Sequence, residues 1–212
     1  MSAERKNLIF NKGRLENLTD GVFAIIMTIL VFNISVPQLI SFAEGEYVSE
    51  RLSIRLVNLL PDILAYVVSF VTLSVYWVAH HRIFRWILYA DRPLIWINIS
   101  FLMTIGLIPF STALLTQYRD QQISIFAYSF NSILAGVIIY SLYHHAKGNL
   151  ELVDKTVHAL IKKRSGRRIL VTIFTYSVAI LFSFIYLPVS MLLFLLVLVP
   201  EFVPDRLFGS EA

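Results

Sequence analysis

Six long apolar stretches, set apart by short polar segments, follow one another along the chain at about 20–37, 59–79, 94–117, 124–143, 169–186 and 188–202. Each approaches the roughly 20 apolar residues that a hydrocarbon core about 30 Å thick requires. The pattern therefore predicts an all-α membrane protein with six transmembrane helices. The sixth stretch is the shortest and is interrupted by Pro200, while Pro188 folds the fifth and sixth into a tight hairpin. A polar segment precedes the first stretch, and Pro37 and Gln38 follow it without a small-residue cleavage pattern, so it reads as a retained helix rather than a signal peptide. No internal repeat or soluble module interrupts the series, which makes residues 1–212 a single membrane domain.

Charge sharpens this picture. Only 15% of residues are charged while 57% are apolar, against about a quarter and about half in soluble domains. The formal net charge of +4 does not point to nucleic acid, because the basic residues lie between the apolar stretches. Fifteen of the eighteen Lys and Arg residues fall in the N-terminal segment, the second and fourth connections and the C-terminal segment. Only Arg51, Arg55 and Arg119 fall on the other side. By the positive-inside rule, six crossings in a cell membrane with both termini cytoplasmic fit that split. Between Lys147 and Arg168, the residues Leu150, Val153, Val157, Leu160 and Ile161 recur at helical spacing. This predicts a cytoplasmic extension of the fourth or fifth helix, either a solvated helix that sets topology or one that binds anionic lipid headgroups. The absence of cysteine excludes disulfides and thiolate metal sites.

The first stretch carries the informative polar residues. Asp20 stands at its edge, where a carboxylate needs a partner or water. One reading makes Thr19 or Asp20 a helix N-cap. At about 100° per residue, Ile25, Ile29, Phe32 and Val36 form one stripe, with Thr28 and Ser35 on one flank and Asn33 on the other. Such a stripe serves either ordinary helix packing or a hydrophobic constriction in a symmetric pore, and periodicity does not separate the two.

The segment Arg14-x-x-x-Leu18-Thr19-Asp20-Gly21-Val22-Phe23-Ala24-Ile25 resembles the opening motif of the transmembrane-protein-175 potassium channels, R-x-x-x-F-S-D-G-V-F-A-I. The resemblance continues through Trp77-Val78-Ala79-His80-His81, Asn98 and Leu107-Ile108-Pro109-Phe110-Ser111-Thr112, and so covers the first three helices. Leu18 replaces the usual Phe and loses a ring; Thr19 replaces the usual Ser and keeps a hydroxyl. The resemblance implies a homotetramer around a central pore lined by the first helix, with Ile25 as the central constriction and Ile29 and Phe32 further out. It places Thr28 facing or flanking the ion path. It also implies a supporting network in which Arg14, Thr19 and Asp20 meet Trp77, His80 or His81, Asn98 and Asp91.

Other constellations carry less. The pairs His80-His81 and His144-His145 are adjacent on helices, so their rings diverge by about 100° and do not share a metal ion. Glu44, Glu46 and Glu50 would concentrate cations at an outer mouth, although Arg51 and Arg55 beside them also suit an ordinary solvated loop. No glycine-bracketed aromatic supplies a carbonyl filter. The expectation is a potassium-preferring cation channel, without cofactor, metal site or enzymatic activity, whose partners are its own copies, membrane lipid and monovalent cations. A proton-conducting channel or proton-coupled transporter is the nearest alternative; its ionisable groups would have to lie deep in the spans, whereas Asp20, Asp62 and the histidines sit near helix ends.

Overall fold

The computed structural model describes residues 11–36, 48–149, 152–153, 166–186, 190 and 192–198. Helix α1 (Lys12–Ile29) continues into a 3₁₀ turn, Leu30–Asn33. A short helix α2 (Val48–Val57) leads through a turn into α3 (Leu60–Phe84). The third span is broken in two, α4 (Arg92–Gly106) and α5 (Ile108–Gln117). Next come α6 (Gln122–Gly148) and α7 (Arg167–Ser183), and then a 3₁₀ segment, Phe194–Leu198. Four segments are long and apolar enough to cross a membrane: Lys12–Asn33, Leu52–Phe84, Arg92–Gln117 and Gln122–Gly148. Helix α7 has 17 residues, about 26 Å at helical rise. Most of the expected sixth span, 188–202, lies outside the described residues.

The ends of these helices follow local chemistry. Asn11, not Thr19 or Asp20, caps α1, its side chain accepting from the Gly13 N–H at 2.9 Å. The helix therefore starts two turns before the apolar stretch, and Asp20 sits about 12 Å along it. Asp91 caps α4 by accepting from the Leu94 N–H at 2.9 Å, and Pro93 fills the first turn, where its missing N–H costs nothing. The break at Leu107 falls where Gly106 and Pro109 weaken the helix, since Pro109 has no N–H to offer the carbonyl one turn back.

Helix α6 is the central post: α7, α4, α5 and α3 all pack on it. At Gly136 the α6 backbone approaches α7 closely, and an added Cβ would stand 2.7 Å from Ile173 Cγ1. The core holds three fully buried tyrosines, Tyr76, Tyr128 and Tyr176. Lipid supplies no hydrogen bonds, so their hydroxyls find partners inside. Tyr76 donates to the Ser132 carbonyl, Tyr128 donates to Thr72 Oγ1 at 3.2 Å, and Tyr176 shares a bond with the same threonine. Ser69 and Thr112 tie α3 to α5 through their hydroxyls at 2.7 Å.

Helix α1 lies at the edge of this bundle, against α3 and α4. At the other extreme, Leu152 and Val153 are buried, but not on a helix. Val153 forms an isolated antiparallel bridge with Ile87, the Leu88 N–H donates to the Leu152 carbonyl at 2.8 Å, and Trp86 packs over both. The expected amphipathic helix thus gives way at this point to chain folded onto the α3–α4 turn. Val157, Leu160 and Ile161 lie outside the described residues.

Candidate functional site

Helix α1 is divided lengthwise. Leu15, Thr19, Phe23, Ile26 and Leu30 are buried against the protomer. The opposite face is uncovered: Ile25 is 60% exposed and Phe32 80%, and Leu18, Thr28 and Ile29 lie on the same side. Val36, expected in the same stripe, is exposed but lies beyond the helix, because the chain turns extended at Ile34. Both faces are apolar, so sequence periodicity gave no contrast between them; burial does. On the uncovered face, the Thr28 hydroxyl donates to the carbonyls of Ile25 at 2.8 Å and Ala24 at 3.0 Å. With its proton committed to the helix, the oxygen presents lone pairs outward, the polarity a cation requires.

Two sets of polar contacts hold the inner half of α1 to its neighbours. Thr19, fully buried, accepts from Asn98 Nδ2 on α4 at 3.2 Å. Asn98 in turn accepts from His80 Nε2 on α3 at 2.8 Å, which fixes that nitrogen as the protonated one. The His80 ring stacks on Phe84 at 4.1 Å and on Phe101 at 5.9 Å, an apolar slot that excludes water. One residue along, Asp20 turns outward and accepts from Trp77 Nε1 at 2.8 Å, and Trp77 stacks on His81 at 5.6 Å. The two adjacent histidines therefore part company, His80 into the core and His81 to the surface.

Two residues grouped with this network by resemblance stand apart from it. Asp91 bonds instead to His145 on α6, Nε2 reaching Oδ2 at 2.9 Å and Oδ1 at 3.1 Å. As the N-cap of α4 it belongs to the helix end, while Asn98 lies two turns further on. Arg14 is exposed, and among the described residues its guanidinium meets no carboxylate. Among the described residues no group of three or more His, Asp or Glu is placed to hold a metal ion.

Sequence reasoning missed two anchors of α1. Lys12 Nζ donates to the Phe84 carbonyl at 3.1 Å, placing a cation on the C-terminal end of α3, where the helix dipole favours one. Asn33 Nδ2 donates to the Pro109 carbonyl at 3.1 Å, at the start of α5. The available signal was a polar residue near the outer end of the apolar run for Asn33, and for Lys12 only its place in the polar segment before that run.

Residues 14–109, which run from the first turn of α1 past the α4–α5 break, match the family model described as endosomal/lysosomal potassium channel TMEM175. The solved crystal structure of a lysosomal potassium-selective channel TMEM175 homolog from Chamaesiphon minutus superposes with a TM-score of 0.73 at 30% identity, over 90% of this chain and 96% of that one. This chain belongs to the TMEM175 family. A relative from Streptomyces collinus named as a potassium channel is 30% identical over 183 residues, 84% of this chain and 85% of its own. The chicken TMEM175, named as an endosomal/lysosomal proton channel, is 26% identical over 192 residues, 88% of this chain but 37% of its own length. Membership, together with the four long apolar segments, makes this TMEM175 relative a multi-pass membrane protein.

Proposed function

We propose that the chain is a potassium-selective channel that assembles as a homotetramer, with the uncovered faces of four α1 helices lining one central pore. The observation that carries this reading is the lengthwise division of α1, which leaves Ile25, Thr28, Ile29 and Phe32 together on a face the protomer does not cover. In this arrangement each chain crosses a cell membrane six times, with both termini cytoplasmic. Four Ile25 side chains form the central hydrophobic constriction, and Ile29 and Phe32 form outer rings. An ion passing them sheds part of its hydration shell, which favours the larger and more weakly hydrated potassium over sodium. The Thr28 oxygens return part of that shell, so no backbone carbonyl filter is needed. Thr19, Asn98 and His80 on one side, and Asp20, Trp77 and His81 on the other, hold α1 at the angle that keeps those rings in register.

Purified protein in liposomes tests the constriction. Ile25→Asn is expected to raise conductance and lower the preference for potassium over sodium; unchanged values for both would remove Ile25 from the pore. The naming of vertebrate relatives as proton channels favours one alternative, proton conduction through the same pore. Reversal potentials under separate potassium and pH gradients distinguish the two, because the potential follows whichever ion carries the current.

A further inference from the structure

The outer end of α1 does not continue as α-helix. From Leu30 to Asn33 it tightens into a 3₁₀ turn, and the Ile34 N–H closes it on the Val31 carbonyl at 3.0 Å. The change alters where Phe32 faces. At 3.6 residues per turn, Phe32 would stand about 60° around the helix from Ile29; at 3.0 residues per turn the two eclipse. Short 3₁₀ segments have poorer hydrogen bonds than α-helix and persist where something else secures them. Here Leu30 is fully buried, and Asn33, half-buried, spans to the Pro109 carbonyl.

That carbonyl is a fixed point. The break between α4 and α5 frees backbone groups, and Asn131 on α6 takes them up. With its amide turned to the orientation that satisfies both ends, its Nδ2 donates to the Thr104 carbonyl at 3.1 Å and its Oδ1 accepts from the Ile108 N–H at 3.3 Å. The broken span is therefore clasped from behind by the central helix and presents a held carbonyl to α1 in front.

We propose that Asn33 is a positioning residue for the outer ring of the pore: its bond to Pro109 keeps the 3₁₀ turn closed and holds Phe32 directly over Ile29. This rests on the reading of α1 as pore-lining. Loss of the bond lets the turn relax toward α-helix and swings Phe32 around the axis by on the order of 60°.

The chain contains no cysteine, so single thiols can be introduced without background. Phe32→Cys and Val31→Cys are each combined with native Asn33, with Asn33→Leu, with Asn33→Asp and with Asn33→Gln, and reconstituted channels are exposed to a water-soluble thiol reagent during current recording. With native Asn33, and with Gln, which keeps an amide donor, the thiol at 32 is expected to react and block current. With Leu or ionised Asp its reaction rate falls by about tenfold, the population change that one hydrogen bond supports, and the rate at 31 rises. Equal rates in all four backgrounds would overturn the proposal. The aspartate variant is isosteric, so it decides the matter should the leucine variant assemble poorly. Ile25→Cys with native Asn33 is the control for the underlying reading. If its modification leaves current unchanged, α1 does not line the pore; if it blocks while position 32 ignores Asn33, only the positioning role fails.

Discussion

The triad Thr19–Asn98–His80 makes a prediction in which removing more helps. Asn98 is fully buried and holds two bonds, to Thr19 at 3.2 Å and to His80 at 2.8 Å. Asn98→Leu leaves the His80 N–H facing an alkyl group. An orphaned buried donor costs about 1–3 kcal/mol, whereas hydrogen bonds between membrane helices average about 0.6 kcal/mol when measured by double-mutant cycles. The higher range applies here, because His80 is buried in a slot between Phe84 and Phe101, with Nε2 bonded to Asn98. Thr19 adds little, since its hydroxyl can turn back to its own helix. His80→Phe alone keeps the stacked shape but orphans the Asn98 carbonyl, at a similar cost of about 1–3 kcal/mol. The pair His80→Phe with Asn98→Leu removes both orphans and fills the slot with apolar atoms. It is expected to be more stable than either single variant, with a coupling of at least about 1 kcal/mol. The assay is thermal inactivation of the detergent-solubilised protein, followed by the loss of its monodisperse chromatographic peak and read as rates because such unfolding is irreversible. Strictly additive losses would refute the reasoning and mean that His80 and Asn98 are not bonded to one another.

Three further outcomes can be checked on the same preparation. Asp91→Ala removes a helix cap worth about 0.5–2 kcal/mol together with the bond to His145, whereas Asp91→Asn keeps the cap and should lose clearly less; equal losses would mean that the cap carries nothing. Gly136→Ala sets a methyl 2.7 Å from Ile173 Cγ1, on a β-branched stem with little rotamer freedom, at a cost of about 1–3 kcal/mol that the gain of about 1 kcal/mol in helix propensity does not offset; Ile173→Ala should restore the variant. Trp77→Phe retains a ring against His81 but loses the donor to Asp20, lowering thermal resistance by about 1–2 kcal/mol, and Asp20→Asn in that background should cost little more.

Four of the six expected spans were legible because a bilayer imposes a length on apolar sequence, and hydropathy measures that length directly. Their true ends were not, because hydropathy registers only the part of a helix inside lipid. Helix α1 runs from an Asn11 cap through a polar segment, and α6 continues to Gly148 past the histidines. Residues 152 and 153 show the limit of periodicity: their apolar spacing suits a helix, yet both are buried by pairing with the α3–α4 turn, a choice made by tertiary contact. The same limit applies to Asp91. Its capping role is local and readable, but its partner His145 is 54 residues away. Resemblance to known channels grouped Thr19, Asp20, Trp77, His80 and Asn98, which no spacing rule connects. Asn33 was visible as a polar residue near the outer end of an apolar run and Lys12 only as one of several polar residues ahead of it, and the fold supplies the carbonyls they reach.

The bare face of α1 has a consequence for how the protein is made. In water, a row of side chains such as Ile25 and Phe32 would force immediate burial against anything available. In a bilayer, acyl chains wet that row as well as another helix would, so a freshly inserted protomer is at rest and under no hydrophobic compulsion to find partners. In the proposed tetramer, assembly would then be a contest between lipid and protein for the α1 side of the protomer, decided by shape fit, by the few polar groups near Asp20 and by protomer density in the membrane. Lipid composition enters that contest as a reactant, and extraction into detergent shifts its terms.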